Sequence, residues 1–437
     1  MTAQKGEIKE QRERIEKLEA ELKKLAAPPP PPPPPPAEKV VDFGMQADPT
    51  KQIVVRGYVQ GEYRADKSSE DEVGQGGRLL NADRFLIRRG RLLVEREWEW
   101  ASALLELDGN TTNGPTMGIQ RAEASLLYRG GNAHPKPPLL AFTIGQFRSP
   151  YSAENLQSPQ VRYFMERSTM SQAMFPSEID LGARLSGALG WFRYQLAFTN
   201  GQPLGVRDYP LQDPTSAKEL SFRVEAVTQP LDKLQVNVGF SGLTGRGFHR
   251  EGEGTKGQLI WNDQNGDGIF QPSEITAINP VAARPSSTFK RFALTVDGQV
   301  RYRTPIGWAE LSGAVYAASN MDRGLYVADP VLLGRDVRHF GYVVSLTQEI
   351  ADWFVVGFRT DMYNPDSDSS DFQGAKRVQP FDMKIQTYSP LAGITFRKRG
   401  RLLFQYDFVR DHLGRDQAGL PVDLNNDRMT LRLQVDL

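Results

Sequence analysis

The last nine residues of the chain, Met429-Thr-Leu-Arg-Leu-Gln-Val-Asp-Leu437, alternate strictly between apolar and polar side chains. Because successive side chains of a β-strand point to opposite faces, this segment predicts a strand with one face in an apolar medium and the other in water. Many half-buried strands of soluble sheets share that pattern. Its recurrence along nearly the whole chain, up to the terminal residue, is instead typical of a transmembrane β-barrel.

The connections between the predicted strands support the same fold class. From about residue 51 to residue 437 the pattern predicts about sixteen antiparallel strands, and tight turns alternate with long polar loops. The long loops are predicted at 64–82, 109–117, 148–179, 200–218, 244–288, 320–335, 364–378 and 411–426. An up-and-down membrane barrel gives this rhythm, with its tight turns in the periplasm, whereas a soluble sandwich has no reason to place its long loops at one end. Since the first strand leads into a long loop, both chain ends are predicted on the periplasmic side.

Composition excludes several other classes of protein. The 437 residues contain 53 Lys and Arg against 53 Asp and Glu, so net charge favours no nucleic-acid partner. There is no Cys, and none of the four His has a second His at ligand spacing. No run of about 18 apolar residues predicts a membrane-spanning helix. No catalytic Ser/His/Asp set and no phosphate-binding glycine loop is recognisable, so we predict neither an enzyme nor an organic cofactor.

The N-terminal region is predicted to stand apart from the barrel. Residues 1–27 carry a heptad pattern, with Ile8, Ile15 and Leu22 seven residues apart, which predicts a short coiled coil; a lone amphipathic helix is the alternative. Residues 28–50 begin with nine consecutive prolines, which favour a stiff polyproline II spacer over a ligand for an SH3-type partner. No secretory signal is recognisable at the charged start, so export predicts a signal segment outside this sequence.

Arginine alternates with apolar side chains in many predicted strands. In 290–303, Phe292, Leu294 and Val296 share one face, while Arg291 and Thr295 lie on the other. Arginine at the bilayer midplane costs about 2–4 kcal/mol, so the arginine face is predicted to line a polar, wet interior. In the run Arg88-Arg89-Gly90-Arg91, alternation predicts that Arg88 faces the opposite way from Arg89 and Arg91.

The third long loop, 148–179, contains more aromatic and apolar residues than a solvated loop tolerates, including Tyr151, Tyr163, Phe164 and Phe175. A loop that folds back into the barrel and packs against the inner wall explains this composition. An external loop that packs at a subunit contact is the alternative.

Specific segments resemble the phosphate-selective porin O/P family. They are Phe85–Leu92, Trp100–Asp108, Gly145-Gln-Phe-Arg-Ser-Pro-Tyr-Ser-Ala-Glu154, Glu166-Arg167-Ser168 and Tyr342–Tyr363. The resemblance covers roughly residues 50–437. It implies a sixteen-stranded barrel in the bacterial outer membrane, in contact with lipopolysaccharide, usually a homotrimer, whose third loop narrows the channel and whose arginines guide anions.

A channel for small anions, phosphate among them, is therefore the leading hypothesis for the function. Guanidinium groups in a passage of low dielectric constant favour oxyanions. The predicted anion pathway consists of Arg148, Arg162, Arg167, Arg184, Arg193, Arg223, Arg291, Arg301 and Arg303. Alternatively, these arginines form salt bridges that stiffen the wall.

A second motif lies in the longest external loop, Asp263-Gln-Asn-Gly-Asp-Gly-Ile-Phe-Gln-Pro-Ser-Glu274. It matches the calcium-loop template, in which these side-chain oxygens and one carbonyl bind Ca²⁺. The predicted ligands are Asp263, Asn265, Asp267, Ile269, Gln271 and Glu274. The flanks do not read as EF-hand helices, so we predict an isolated calcium loop; a turn without metal is the alternative.

Two other functions are compatible with the sequence. The barrel could serve as a structural anchor that binds peptidoglycan or a periplasmic protein through residues 1–27. A soluble calcium-binding β adhesin is the third reading, and it predicts extraction without detergent.

Overall fold

The chain divides into two compact units, Met1–Asp42 and Phe43–Leu437. The computed structural model describes residues 14–19, 53–67, 83–130, 137–201, 215–326, 329–368, 371–373, 376–378, 383–396, 399–415, 421–423 and 426–437. Residues 14–19 are helical and exposed, with Ile15 and Leu18 each more than half exposed. The rest of the predicted coiled coil and the predicted spacer lie outside the described residues. No helix in the described part of the chain is long and apolar enough to cross a membrane.

The larger unit is a closed antiparallel barrel of sixteen strands, which confirms the predicted fold class. The strands, numbered β1–β16, are Val54–Asp66, Asp83–Glu97, Ala101–Asn110, Thr116–Tyr128, Leu140–Arg148, Ile179–Leu189, Phe192–Thr199, Glu219–Leu231, Leu234–His249, Ser287–Thr304, Gly307–Ser319, Arg338–Ile350, Phe354–Asn364, Ile385–Phe396, Gly400–Asp411 and Arg428–Asp436. The alternating C-terminal segment closes the barrel, because β16 pairs with β1 from Tyr58 opposite Asp436 to Asp66 opposite Arg428.

Long and short connections alternate around the barrel, with one departure from the prediction. The connection between β3 and β4, over residues 111–115, is short, and the following one, over 129–139, is longer than a tight turn. Two-stranded hairpins lie in three of the long loops, at Gln258–Trp261 with Ile275–Ile278, Asp371–Gln373 with Lys376–Val378, and Gly414–Arg415 with Pro421–Val422. Both ends of the barrel chain lie at the end with the short turns, since Val54 pairs with Glu95 of β2 and Asp436 pairs with Tyr58.

The outer wall is apolar, as the alternation predicts. Along β10, Phe292, Val296 and Val300 are exposed on the outside, while Thr295 and Asp297 are buried inside. Four tryptophans lie exposed at the short-turn end, namely Trp98, Trp100, Trp191 and Trp353. A belt of amphipathic aromatic rings is characteristic of the membrane interface.

The interior is less uniformly polar than predicted. Val355, Leu391 and Leu403 point inward from β13, β14 and β15 and are buried. They form an apolar patch on one side of the lumen, because aromatic and sulfur-containing side chains of the long loop between β5 and β6 cover them.

The predicted orientation of Arg88 is wrong because of a β-bulge. The register between β1 and β2 shifts at Gln60 and Gly61, so that Gln60 pairs with Arg89 and Gly61 pairs with Ile87. A bulge leaves one extra residue unpaired and re-aims its side chain. Arg88 consequently shares the lumen with Arg89, and both contact the same carboxylate there.

Candidate functional site

The connection between β5 and β6, residues 149–178, lies against inward-facing side chains of the barrel; we call it the inner loop. It contains two short helices, Ala153–Leu156 and Thr169–Met174. Its entry depends on Gly145 of β5, at which φ is +136° and an added Cβ would lie 2.0 Å from the Ala122 carbonyl oxygen. Only glycine tolerates that close approach, which gives the Gly-Gln-Phe motif a physical reason.

Apolar contacts hold the inner loop against one side of the lumen. Phe164 and Met165 cover the inward patch of β13–β15. A second buried cluster joins loop residues with the inner wall from β9 onward. Its loop members are Tyr151, Met170, Ala173, Met174 and Phe175, and its wall members include Leu243, Ala293, Tyr316, Tyr363 and Ile385. Burial of each large side chain stabilises this arrangement by about 1.5–3 kcal/mol.

Hydrogen bonds fix the inner loop on the same side. The backbone N–H of Thr169 donates to Asp361 Oδ1 at 2.9 Å, and its hydroxyl donates to the same oxygen at 2.7 Å. The N–H of Ala153 donates to Asp297 Oδ2 at 3.2 Å, and Thr295 donates to the Tyr151 hydroxyl at 2.6 Å. These wall residues lie on β10 and β13, so the loop is tied to strands far from its own ends.

The middle of the inner loop reaches the closing strands of the barrel. Gln60 of β1 donates to the Pro159 carbonyl at 3.2 Å, and Gln434 of β16 donates to the Gln160 carbonyl at 3.0 Å. Arg432 donates to the Met165 carbonyl at 2.7 Å. The loop is therefore anchored along the inner wall from β9 round to β1, and it narrows the lumen there.

Glu166 is the main ionic anchor of the inner loop. Arg88 Nε donates to Glu166 Oε1 at 2.6 Å, Arg89 Nη2 donates to Oε2 at 2.8 Å, and Arg432 Nη2 lies 3.6 Å from Oε1. We call these four residues the Glu166 latch. Burial alone would raise the pKa of Glu166, but the three guanidiniums outweigh it and hold the pKa well below its usual range.

The Glu166 latch adjoins a second acidic residue and carries an excess of positive charge. Glu62 of β1 accepts from Arg64 Nε at 2.8 Å and from Arg432 Nε at 2.6 Å. Arg64 also lies 3.9 Å from Glu166. Four guanidiniums thus face two carboxylates, an excess of two positive charges.

Three of the predicted pathway arginines meet at the base of the inner loop. Arg148, Arg162 and Arg167 each place a nitrogen 3.3–3.5 Å from a carboxylate oxygen of Glu178. All four residues are buried. Burial would raise the pKa of Glu178, but the arginines lower it to about 2. We call this group the Glu178 cluster; it carries a second excess of two positive charges.

The same arginines also shape the loop backbone. Arg167 donates to the Asn155 side-chain oxygen at 3.0 Å and to the carbonyl of Phe175. Arg162 donates to the Glu154 and Gln157 carbonyls at 3.2 and 3.1 Å, and Arg148 donates to the Leu156 carbonyl at 3.0 Å. The three arginines therefore stabilise the loop conformation and also place positive charge at its base. Their role in anion passage stays a prediction.

The wall of β2, β3, β4 and β6 carries a balanced row of ion pairs. Arg91 pairs with Glu106 at 3.1 Å and with Asp108 at 3.2 Å. Arg121 pairs with Glu106 at 2.6 Å. Arg184 pairs with Glu123 at 2.7 Å. Three arginines face three carboxylates, so this row of ion pairs has no net charge.

The other predicted pathway arginines also contact carboxylates or aromatic rings. Arg223 is bound by Asp297 and Glu225 at 2.6 and 2.9 Å, and Arg193 lies 4.0 Å from Glu225. Arg291 lies 3.8 Å from Glu219, and Arg301 lies 3.3 Å from Glu349. Arg303 is exposed near the short-turn end, with its guanidinium 5.7 Å from the Trp308 ring.

The sequence reasoning missed several lumenal residues. Tyr58, Gln60, Glu62 and Arg64 share the inner face of β1, and simple alternation could have assigned them. Glu178 gave no such signal, because it lies at the end of the inner loop rather than in an alternating strand.

The predicted calcium residues form an ordered turn. Asp263 accepts from the N–H groups of Gly266 and Gly268, both at 2.7 Å, and both glycines have positive φ. The remaining interactions join Asn265 with Asp267, Asp267 with Ile269 and Gln271, and Glu274 with Trp261 and Gln264. No group of three or more His, Cys, Asp or Glu side chains forms a metal cluster within the described ranges, and calcium binding stays a prediction.

A closed sixteen-strand barrel with an apolar outer wall, a charged interior and a loop folded across the lumen defines the porins of bacterial outer membranes. This chain is therefore an outer-membrane porin, a channel for solutes. The sequence profile of the family described as phosphate-selective porin O and P matches residues 58–228, and the predicted relation to that family is confirmed.

Solved porin structures share the fold. OprB of Pseudomonas putida is 10% identical, with 89% of this chain and 94% of that chain covered and a TM-score of 0.56. An anion-selective porin from Comamonas acidovorans is 11% identical, with coverage of 88% and 98% and a TM-score of 0.50. The trimer form of OmpT from Vibrio cholerae is 10% identical, with coverage of 88% and 99% and a TM-score of 0.50. No curated protein matches the chain.

Proposed function

We propose that this porin is a passive diffusion channel with a moderate preference for small anions such as phosphate. The observation that carries the proposal is the uneven charge of the lumen. The Glu166 latch with its neighbours and the Glu178 cluster each have two positive charges in excess, whereas the ion-pair row on β2, β3, β4 and β6 is balanced. The profile match to a family described as phosphate-selective and the fold shared with an anion-selective porin agree with this charge pattern.

Neutralising Arg162 is expected to lower the ratio of anion to cation permeability several-fold. A unit charge changes the energy of a monovalent ion about 7 Å away by roughly 2 kcal/mol at an effective dielectric constant of about 20, before screening by salt. The measurement is the reversal potential of Arg162→Gln in planar bilayers under a KCl gradient.

Arg284→Gln is the matched control for Arg162→Gln, because it removes the same charge from an exposed position in the long loop between β9 and β10, outside the predicted anion pathway. Equal reversal potentials for Arg162→Gln and the wild type would remove the assignment of selectivity to the base of the inner loop.

We propose that the channel is a homotrimer, in keeping with the trimer form of the OmpT neighbour, which shares its barrel fold. We also propose that residues 1–27 bind a periplasmic partner or peptidoglycan. The exposure of Ile15 and Leu18 in the helical stretch 14–19 supports a role in association.

Calcium binding to 263–274 is proposed as a means of stiffening the external loop over 250–286. At about 1 mM, which suits extracellular calcium modules, Ca²⁺ is expected to slow proteolysis of this loop. The measurement is limited proteolysis with calcium or chelator. Glu274→Gln should lose the protection, whereas Glu251→Gln, an exposed substitution in the same loop, should keep it. Equal cleavage of the wild type under both conditions would reject the site.

A further inference from the structure

Two cationic side chains lie side by side on the outer wall at the long-loop end of the barrel. Arg246 of β9 is the register partner of Lys290 of β10. Lys290 alternates with buried Arg291 and shares the outer face with exposed Phe292, and Arg246, directly opposite Lys290, is exposed on the same face. The Cβ atoms of such a pair lie about 4.5–5.5 Å apart. We call Arg246 and Lys290 the rim pair.

The rim pair has no acidic partner in the described part of the chain. No carboxylate oxygen of those residues lies within 4.0 Å of either cation. Arg246 Nη1 donates to the Thr288 hydroxyl at 3.2 Å, which is a neutral group. Because like charges directly opposite each other destabilise paired strands, the rim pair indicates an anion supplied from outside the chain.

Other cations at the same end of the barrel pair with acids of the chain. They are Lys67 with Asp427, Arg428 with Asp66, Arg335 with Asp366 and Arg338 with Asp368. The side chains of Arg335 and Arg338 are 43% and 71% exposed, so exposure alone does not leave a cation without an acid. The rim pair differs from these four cations by its lack of a carboxylate partner within the described ranges.

The height of the rim pair matches the headgroup region of a bilayer. Lys290 lies twelve residues along β10 from Tyr302, which is exposed at the short-turn end. At about 3.3 Å per residue and a strand tilt of about 40°, this separation is about 30 Å along the barrel axis. The apolar band of such barrels is about 25 Å tall, and exposed Phe292, Val296 and Val300 lie in it between the two ends. The rim pair therefore lies just beyond the apolar band.

Charge and position together identify the class of ligand. A guanidinium binds phosphate oxygens through two parallel hydrogen bonds, and an ammonium group adds a point charge beside it. Basic side chains at a membrane surface attract anionic lipids. The exposed rings of Phe292 and Phe240 lie on the same face nearer the membrane centre and provide an apolar surface for the acyl chains of such a lipid.

We propose that the rim pair binds the phosphate of one lipid headgroup in the leaflet at the long-loop end, and prefers a phosphomonoester to a zwitterionic phosphodiester. The bound phosphate neutralises the two facing cations and so stabilises the pairing of β9 with β10 where the loop over 250–286 begins and ends. The rim pair faces away from the lumen, so this proposal does not depend on the anion preference of the channel.

Native mass spectrometry of the full chain in detergent tests the proposal with two lipids that have the same acyl chains. Phosphatidic acid has a phosphomonoester headgroup, and phosphatidylcholine has no net charge. One phosphatidic acid per chain is expected to bind in preference to phosphatidylcholine. Arg246→Gln/Lys290→Gln should weaken its binding about thirtyfold, or about fivefold for each cation removed.

The matched control is Arg335→Gln/Arg338→Gln, which removes two cations from the same end of the barrel that already have acidic partners. Binding of phosphatidic acid should change less than about threefold in this control. Equal binding by the wild type and Arg246→Gln/Lys290→Gln, or an equal loss in the control, would overturn the proposal. Gel mobility before and after heating verifies that each variant is a folded barrel.

Two further readouts of the same spectra distinguish other occupants of the rim pair. Inorganic phosphate in tenfold excess should leave phosphatidic acid bound; its displacement would mean that the rim pair takes free phosphate rather than a lipid. The mass of the assembly should be the same in the wild type and in Arg246→Gln/Lys290→Gln. A smaller assembly in the variant would place the rim pair between two copies of the chain and would contradict a lipid site.

Discussion

Glu166→Gln is expected to give a larger and noisier single-channel current than the wild type. The substitution removes the charge that Arg88, Arg89 and Arg432 share, and so takes away the carboxylate that pairs with Arg88 and Arg89. Breaking a buried ion pair costs about 3–5 kcal/mol. Even the lower figure changes the ratio of docked to undocked inner loop by more than about a hundredfold. A loop that leaves the wall widens the passage.

Planar-bilayer conductance at fixed salt measures this effect. Glu251→Gln is the control, because it makes the same chemical change at an exposed external position. The pKa of Glu166 is held well below 4.5, so its contribution to docking is complete above about pH 4.5 and is lost as pH falls toward the folded-state pKa. The wild-type current should therefore stay constant from pH 7 to pH 5. A Glu166→Gln current equal to that of the wild type would show that the latch does not hold the loop.

Arg223→Met is expected to lower the temperature at which the barrel unfolds. The side chain is only 1% exposed. Its guanidinium donates to both oxygens of Asp297 at 2.6 and 2.8 Å, to Glu225 at 2.9 Å and to the Ser241 hydroxyl at 3.0 Å. Removing it leaves two buried carboxylates close together, at a cost of about 3–5 kcal/mol.

The midpoint of heat-induced mobility change on gels, or of far-UV circular dichroism in detergent, measures the loss. Arg284→Met, at an exposed external position, should leave the midpoint unchanged. The triple variant Arg223→Met/Glu225→Gln/Asp297→Asn should recover part of the loss, since it removes the uncompensated carboxylates. A single variant as stable as the wild type would mean that water compensates the two acids.

Local patterns were sufficient to predict the barrel and its lining. A period of two residues identifies the strands and separates, for example, Phe292 from Arg291, because every strand faces lipid on one side and the lumen on the other. Arg88 escaped this reasoning, since one extra residue in β2 shifts the alternation and no local signal marks the bulge. The inward orientation of Leu403 was not predicted either, because an apolar side chain is stable in the lumen only where Phe164 and Met165 cover it.

The sequence also could not predict which residues pair with one another in the candidate site, because those contacts depend on the tertiary fold. Glu166 meets Arg88 and Arg432, which lie in the second and the last strands, and only closure of the barrel brings them together. The abundance of aromatic residues in the inner loop indicated that it packs somewhere, but did not indicate against which strands.

The tryptophans give the barrel a fixed height in the membrane. Trp98, Trp100, Trp191 and Trp353 all lie exposed at the short-turn rim, which the sequence predicts to face the periplasm. Indole rings prefer the headgroup region, so the four tryptophans anchor this rim at one membrane–water interface. A bilayer that is thinner or thicker than the apolar band must then adjust at the opposite leaflet, around the bases of the long loops.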